Sequence, residues 1–243
     1  MKVARIALLV FSGLSFAWAG TVSLITNGDF ESGTTAGWTA TTMPAFGNTA
    51  GSCNAGFAAQ SAATGCVPGT NPAFGTFAAY SSTSFPAIAD DVGEWVNLLS
   101  QDFLVPSGIT AGNLTFEYAT TWAGSGSFRG VNVLAELLQG STVLQAIDLE
   151  VNPEFDGSVS WTPSSTDVTS TLAANAGQIL TLELFSLAFY DTRDPVSESS
   201  ATTLNTGFDQ VQITATTGVP EPNSGSLASG AFLLILAAKF ARH

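Results

Sequence analysis

The only histidine of the chain is its last residue, His243, and between residues 20 and 222 the only cations are Arg129 and Arg193. A Ser-His-Asp triad or a histidine-bound zinc therefore has no imidazole to draw on in the body of the protein. What remains is carboxylate chemistry, with 19 Asp and Glu residues. Paired carboxylates serve glycosidases as acid and base, and clustered ones hold hard cations. Glu117, Glu136, Glu150 and Glu183 all fall in segments that read as strands, where a lone acid points to solvent or meets a neighbour. Asp148, Glu150, Asn152, Glu154 and Asp156 alternate along an extended segment, with Ile147, Leu149, Val151 and Phe155 on the opposite side. That pattern suits a solvated polar face or, alternatively, a divalent-cation site, and Pro153 interrupts it. No GxSxG motif occurs, and Gly124–Gly130 lacks phosphate-loop spacing. Catalysis has little material here, so the expectation is a protein that is not an enzyme.

Charge narrows the choice of partner. Residues 20–222 carry 2 basic and 19 acidic side chains, a formal charge of −17. Binding a phosphate backbone needs clustered Lys and Arg, so nucleic acid is excluded as a partner. An anionic lipid surface is disfavoured for the same reason. Charged residues make up 10 % of the 243, against about 25 % in an average globular protein. Such a profile, rich in Gly, Ser and Thr, fits an extracellular β-rich chain.

Both ends read as targeting segments. Residues 1–19 have the form of a secretory signal peptide: Lys2 and Arg5, an apolar run from Ile6 to Phe16, and Ala17-Trp18-Ala19 as a cleavage site. Export would place Cys53 and Cys66 in an oxidising compartment, where they close a short loop as a disulfide worth about 3 kcal/mol, or else remain as buried thiols. At the other end, Val219-Pro220-Glu221-Pro222 breaks any preceding strand. An apolar run from Leu227 to Ala238 follows, then Lys239 and Arg242. As a helix that run covers about 18 Å of a hydrocarbon core of about 30 Å, enough for transient membrane contact and marginal for an anchor. Residues 217–243, with Pro220, Glu221 and Pro222 leading the apolar segment, resemble the PEP-CTERM sorting signal of exported bacterial proteins. The resemblance implies processing by an exosortase-type membrane enzyme. It also implies a final location on the outer surface or in the extracellular matrix of a Gram-negative bacterium.

Between the ends, strands and turns alternate. Trp95–Val105, Leu114–Tyr118, Val131–Leu137, Val143–Val151, Ile179–Phe189 and Phe208–Thr214 have strand patterns. Gln139-Gly140-Ser141 reads as a hairpin turn, and only Ser170–Ala176 has helical character. Ile179–Phe189 is so apolar that it reads as a central strand covered on both sides. Thr39–Glu94 lacks periodicity and should hold one or two short strands, for example Gly75–Ser81. The fold expectation is all-β: one antiparallel β-sandwich over residues 20–216.

Thr26-Asn27-Gly28-Asp29-Phe30-Glu31-Ser32-Gly33 reads as the N-terminal strand, and with Gly37-Trp38 and the late Gly207-Phe208-Asp209-Gln210-Val211 it resembles the jelly-roll carbohydrate-binding modules, including galactose-binding-like domains. The resemblance implies that the sandwich is jelly-roll-like, and a structural calcium with Glu31 and Asp209 as side-chain ligands and Gly28 as a carbonyl ligand. The residues alone are equally compatible with an exposed acidic strand end. It further implies binding of extracellular polysaccharide. Sugar C–H faces pack on aromatic rings. Trp122, Phe128, Arg129, Trp161, Tyr190 and Arg193, with Asp191, lie at expected strand ends or loops and form the candidate patch, while Trp38 and Trp95 are expected in the core. The alternative function is a carboxylate-based glycan-processing enzyme.

Overall fold

A computed structural model describes residues 20–44, 58–61, 72–85, 92–123, 128–151, 157–191 and 202–218. The two cysteines, Arg193, the N-terminal signal segment and the C-terminal sorting motif lie outside the described residues. Contacts divide the chain into Thr21–Thr217 and a unit made of its two ends, of which only Gly20 and Gly218 are described.

The elements run β1 (Gly20–Ser23), β2 (Thr39–Pro44), β3 (Ala58–Gln60), β4 (Ala78–Phe85), β5 (Val92–Leu104), β6 (Ile109–Ala123), β7 (Phe128–Gln139), β8 (Thr142–Val151), β9 (Gly157–Asp167), α1 (Thr169–Ala174), β10 (Ile179–Asp191) and β11 (Thr202–Thr217). They form two sheets. One has the order β3-β4-β11-β6-β9, with β1 also on β11, and the other the order β2-β5-β10-β7-β8. Only β3-β4 and β7-β8 are neighbours in both sequence and space, so the chain passes repeatedly from one sheet to the other. An antiparallel, jelly-roll-like β-sandwich results, as expected. No helix among the described residues is long and apolar enough to cross a membrane.

Period-two alternation decides which side chains meet between the sheets. Leu114 and Phe116 of β6, Val133, Ala135 and Leu137 of β7, Leu180, Leu182 and Leu184 of β10, and Phe208, Val211 and Ile213 of β11 make one core. In β11, alternation slips by one residue. Phe208 and Val211 both face inward, because Gln210, at φ 51°, is an extra residue between the pairs Asp209↔Glu117 and Gln212↔Thr115. The extra residue keeps Phe208 and Val211 on the same side of the strand, and Asp209, still paired with Glu117, lies directly before it.

Three expectations change. Thr26–Gly33 is a run of turns, with Asn27 at φ 50° and Phe30 at φ 54°, and the strand precedes it as β1. Strand β10 is buried on one face only. Strand β9, Ser- and Thr-rich and containing Pro163, pairs along β6 where no strand pattern was evident. Pro163 is tolerated there because β9 is an edge strand of its sheet.

Candidate functional site

The turns of residues 24–38 carry the chain from one sheet to the other, since β1 pairs with β11 and β2 with β5. Gln101 of β5 clasps this crossing. It accepts the Thr26 N–H at 2.7 Å through Oε1 and donates to the Thr26 carbonyl at 3.0 Å through Nε2. Asn27 organises the turns C-terminal to it: its Nδ2 donates to the Thr34 and Ala36 carbonyls, and its Oδ1 accepts from Ser32 Oγ. Its own carbonyl accepts the indole N–H of Trp38. Phe30 is fully buried, its ring 5.8 Å from that of Trp38, which lies in the core as expected. The Gly28 carbonyl accepts the Val211 N–H at 2.8 Å, and a side chain at Gly28 would collide with the Val211 carbonyl. Gly28 therefore joins the opening motif to the last strand.

Glu31 and Asp209 converge on the turn before β4. Glu31 Oε1 accepts the N–H groups of Thr76 and Phe77, each at 2.8 Å, and Asp209 Oδ2 accepts that of Phe74 at 2.9 Å. Asp209 Oδ1 takes the N–H of Gln210. Gly75, at φ 65°, lets the turn close on the Glu31 carboxylate, which a Cβ at that position would overlap. Burial pushes the Asp209 carboxyl up to about 6, with the Glu31 charge adding to the effect; hydrogen bonds from Phe74 and Gln210 pull the other way. Two acids thus share a site, and no Lys, Arg or His side chain is among those described. A hard cation fits this pair chemically, although the described residues supply no third acid and calcium takes six to eight oxygens, so carbonyls or water would complete its shell.

A second constellation occupies the outer side of the five-stranded sheet. Leu180, Leu182, Leu184 and Ser186 are fully buried, so Thr181, Glu183, Phe185 and Leu187 point outward, all half-buried. Register sets Phe185 between Leu98 and Leu134, Leu187 between Val96 and Asn132, and Glu183 between Ser100 and Glu136. An apolar row is thereby bordered by a polar one. Burial raises the Glu183 carboxyl above the usual carboxylate range, and the Glu136 charge opposite it adds to this. Like charges placed directly across a strand pair destabilise a sheet.

Of the patch residues singled out by sequence, Trp122 and Trp161 have described side chains, and these two lie on opposite sides of the six-stranded sheet. Trp122 is 8 % exposed, its ring lying over Gly157 where any Cβ would crowd it. Trp161 packs edge-on to Tyr80 at 6.0 Å, the two rings closing over Gly207 on the outer side of the six-stranded sheet. Phe128 and Tyr190 are register partners at one end of the β7-β10 pair, and Arg129 follows Phe128. The side chains of those three, and of Trp95, are outside the described set. Sequence reasoning missed Phe185, which its apolar neighbours disguise as core, and Phe74, in the segment without periodicity.

No family model and no curated protein matches the chain. Solved structures are similar to it over most of its length. A carbohydrate-binding module in complex with beta-1,4-galactotriose aligns over 79 % of this chain and 97 % of its own, at 13 % identity and a TM-score of 0.42. A module specific for non-crystalline cellulose aligns over 80 % and 94 %, at 12 % identity and a TM-score of 0.41. The cleaved adhesin domain of Lys-gingipain from Porphyromonas gingivalis aligns over 82 % and 99 %, at 18 % identity and a TM-score of 0.40.

Proposed function

We propose that this is an exported, non-catalytic cell-surface or matrix protein whose sandwich binds extracellular polysaccharide. The observation that carries the reading is the outer face of the five-stranded sheet, where Phe185 lies in an apolar row beside Glu183, Glu136, Ser100 and Asn132. A pyranose has the matching chemistry: an apolar C–H face to lie on Phe185 and hydroxyls to reach the carboxylates and amide. Depletion of the protein by polysaccharide from the producing organism is the test. Retention without release of sugar is expected, and Phe185→Ala should weaken it about tenfold, as for a central aromatic contact. Equal retention of the variant removes this face from the binding site.

A second reading has its own observation. Glu136 and Glu183 are directly opposite in register, and one of them is held above the ordinary carboxylate range. Retaining glycosidases place two carboxyls close together, one as acid and the other as nucleophile. Release of reducing sugar, abolished by both Glu136→Gln and Glu183→Gln, would establish the carboxylate-based glycan-processing enzyme instead.

Two further parts complete the proposal. Calcium is held by Glu31 and Asp209 as a structural ion, joining the two ends of the sandwich. Residues 1–19 and 217–243 act as export and exosortase sorting signals, the latter through transient membrane contact led by Pro220-Glu221-Pro222, and Cys53 and Cys66 form a disulfide. Intact mass of the released protein should lack Met1–Ala19 and the tail beyond Pro222, and should fall two hydrogens below the dithiol mass. A retained tail overturns the sorting assignment.

A further inference from the structure

We infer that the protein cross-links polysaccharide, because a second sugar-binding groove lies on the outer side of the six-stranded sheet, facing away from the Phe185 face. This rests on the polysaccharide-binding reading above and adds a second valency to it. The groove is an open cavity of about 440 Å³, with Phe74, Pro163, Thr115, Glu117, Gln210 and Gln212 among its lining residues. Leu114 and Phe116 point into the core, so Thr115 and Glu117 point out into the groove.

Phe74 is the distinguishing feature. Phe74 is 63 % exposed, while Phe77, three residues on in the same turn, packs against the core. The turn is pinned at the N–H groups of Phe74, Thr76 and Phe77 by Asp209 and Glu31, so the exposed ring is carried on a fixed backbone. Fixing the backbone in advance lowers the ordering cost of binding. Gln210 places a side-chain amide on the same lining. An aromatic wall with amide, hydroxyl and carboxylate groups beside it suits a pyranose. The described lining residues include Glu117 and no cation, so the fitting ligand is a neutral glycan, and a uronate or sulfated chain is repelled. The two faces are on opposite sides of the sandwich, so one protein engages two chains, or two distant stretches of one.

The test uses the processed protein and the neutral fraction of the producing organism's extracellular polysaccharide, with the acidic fraction as comparison. Light scattering should rise to a maximum near equivalence and fall with excess protein, as expected for a bivalent linker, and only with the neutral fraction. Phe74→Ala should abolish the maximum while the polysaccharide still retains the variant through the Phe185 face. Because the ring is exposed, the thermal midpoint of this variant should be unchanged, which separates loss of a contact from loss of the fold. Scattering by Phe74→Ala equal to wild type overturns the second groove, as does retention of wild type with no scattering maximum. Failure of wild type to be retained at all overturns the polysaccharide reading and this inference together.

Discussion

Glu31 and Asp209, from the first turns and the last strand of the sandwich, accept hydrogen bonds from one and the same turn: Thr76 and Phe77 N–H bind Glu31 at 2.8 Å, and Phe74 N–H binds Asp209 at 2.9 Å. Backbone donors orient these carboxylates but leave two negative charges together. Calcium at this place would offset the repulsion. Since only the folded chain assembles the pair, calcium at about 100 times its dissociation constant should add ~2.7 kcal/mol to stability. Glu31→Ala and Asp209→Ala should each remove most of that gain. Thermal unfolding in calcium and in chelator, at matched ionic strength, is the measurement. Equal wild-type midpoints would leave the pair as a metal-free clamp on the turn.

The same burial predicts an unusual pH dependence for the calcium-free protein. Asp209 titrates at about 6 in the folded state, against an ordinary value of 3.8. The folded state therefore holds this proton more tightly than the unfolded state. Its contribution to stability is fully present below pH 3.8 and is lost as pH rises through 6. Asp209→Asn, which cannot ionise, should show a flatter stability profile across this window in chelator. A wild-type profile that rises between pH 4 and 6 relative to the variant would contradict the assignment. Calcium should reverse the trend in wild type alone, because the ion favours the ionised carboxylate.

Gln210 adopts φ 51° without being glycine. A left-handed conformation costs an ordinary L-residue about 1–2 kcal/mol. Gln210→Gly should recover part of this and raise the midpoint of urea unfolding. Deleting the residue removes the one extra position, so Phe208 and Val211 then alternate strictly around Asp209 and both keep the core. The deletion should therefore still give a cooperative transition, and loss of cooperativity would show that the fold needs the bulge itself.

Much of this sandwich was legible in sequence because alternation marks any strand with one wet face, as in β6, β7 and β8. Two kinds of residue escaped. Phe185 sits in a run so apolar that both faces of β10 looked buried, yet Thr181 and Glu183, in step with it, were the available sign of a solvent side. Phe74 precedes β4 in a Gly- and Thr-rich stretch with no period to read. Its exposure depends on the long-range bonds from Asp209 and Glu31, which no local pattern encodes. Glu31 and Asp209 were found through the motif, but the role of the 72–77 turn as their common partner was not. Thr26–Gly33 passed for a strand because the left-handed conformations of Asn27 and Phe30 leave no mark in composition.

A polar seam crosses the inside of the sandwich and carries the last prediction. Ser186 of β10 and Thr206 of β11 have hydroxyl oxygens 2.7 Å apart, a hydrogen bond directly between the sheets, and Thr206 is also 3.3 Å from Thr120 Oγ1. All three residues are at most 1 % exposed, so water cannot replace a lost partner without entering the core. Thr120 has an outlet of its own, since its hydroxyl donates to the Asn205 carbonyl at 3.0 Å. Thr206→Val keeps the shape of the side chain but strands the Ser186 hydroxyl, and should cost about 1–3 kcal/mol. Ser186→Ala leaves Thr206 with Thr120 as an alternative and should cost less. Removing both hydroxyls leaves no orphan, so the double variant should be more stable than the sum of the single losses predicts, by about 1 kcal/mol. A double-mutant cycle from urea unfolding measures this term. Strict additivity would mean that the two hydroxyls do not depend on each other, and that the pairing of the sheets at this point owes nothing to their bond.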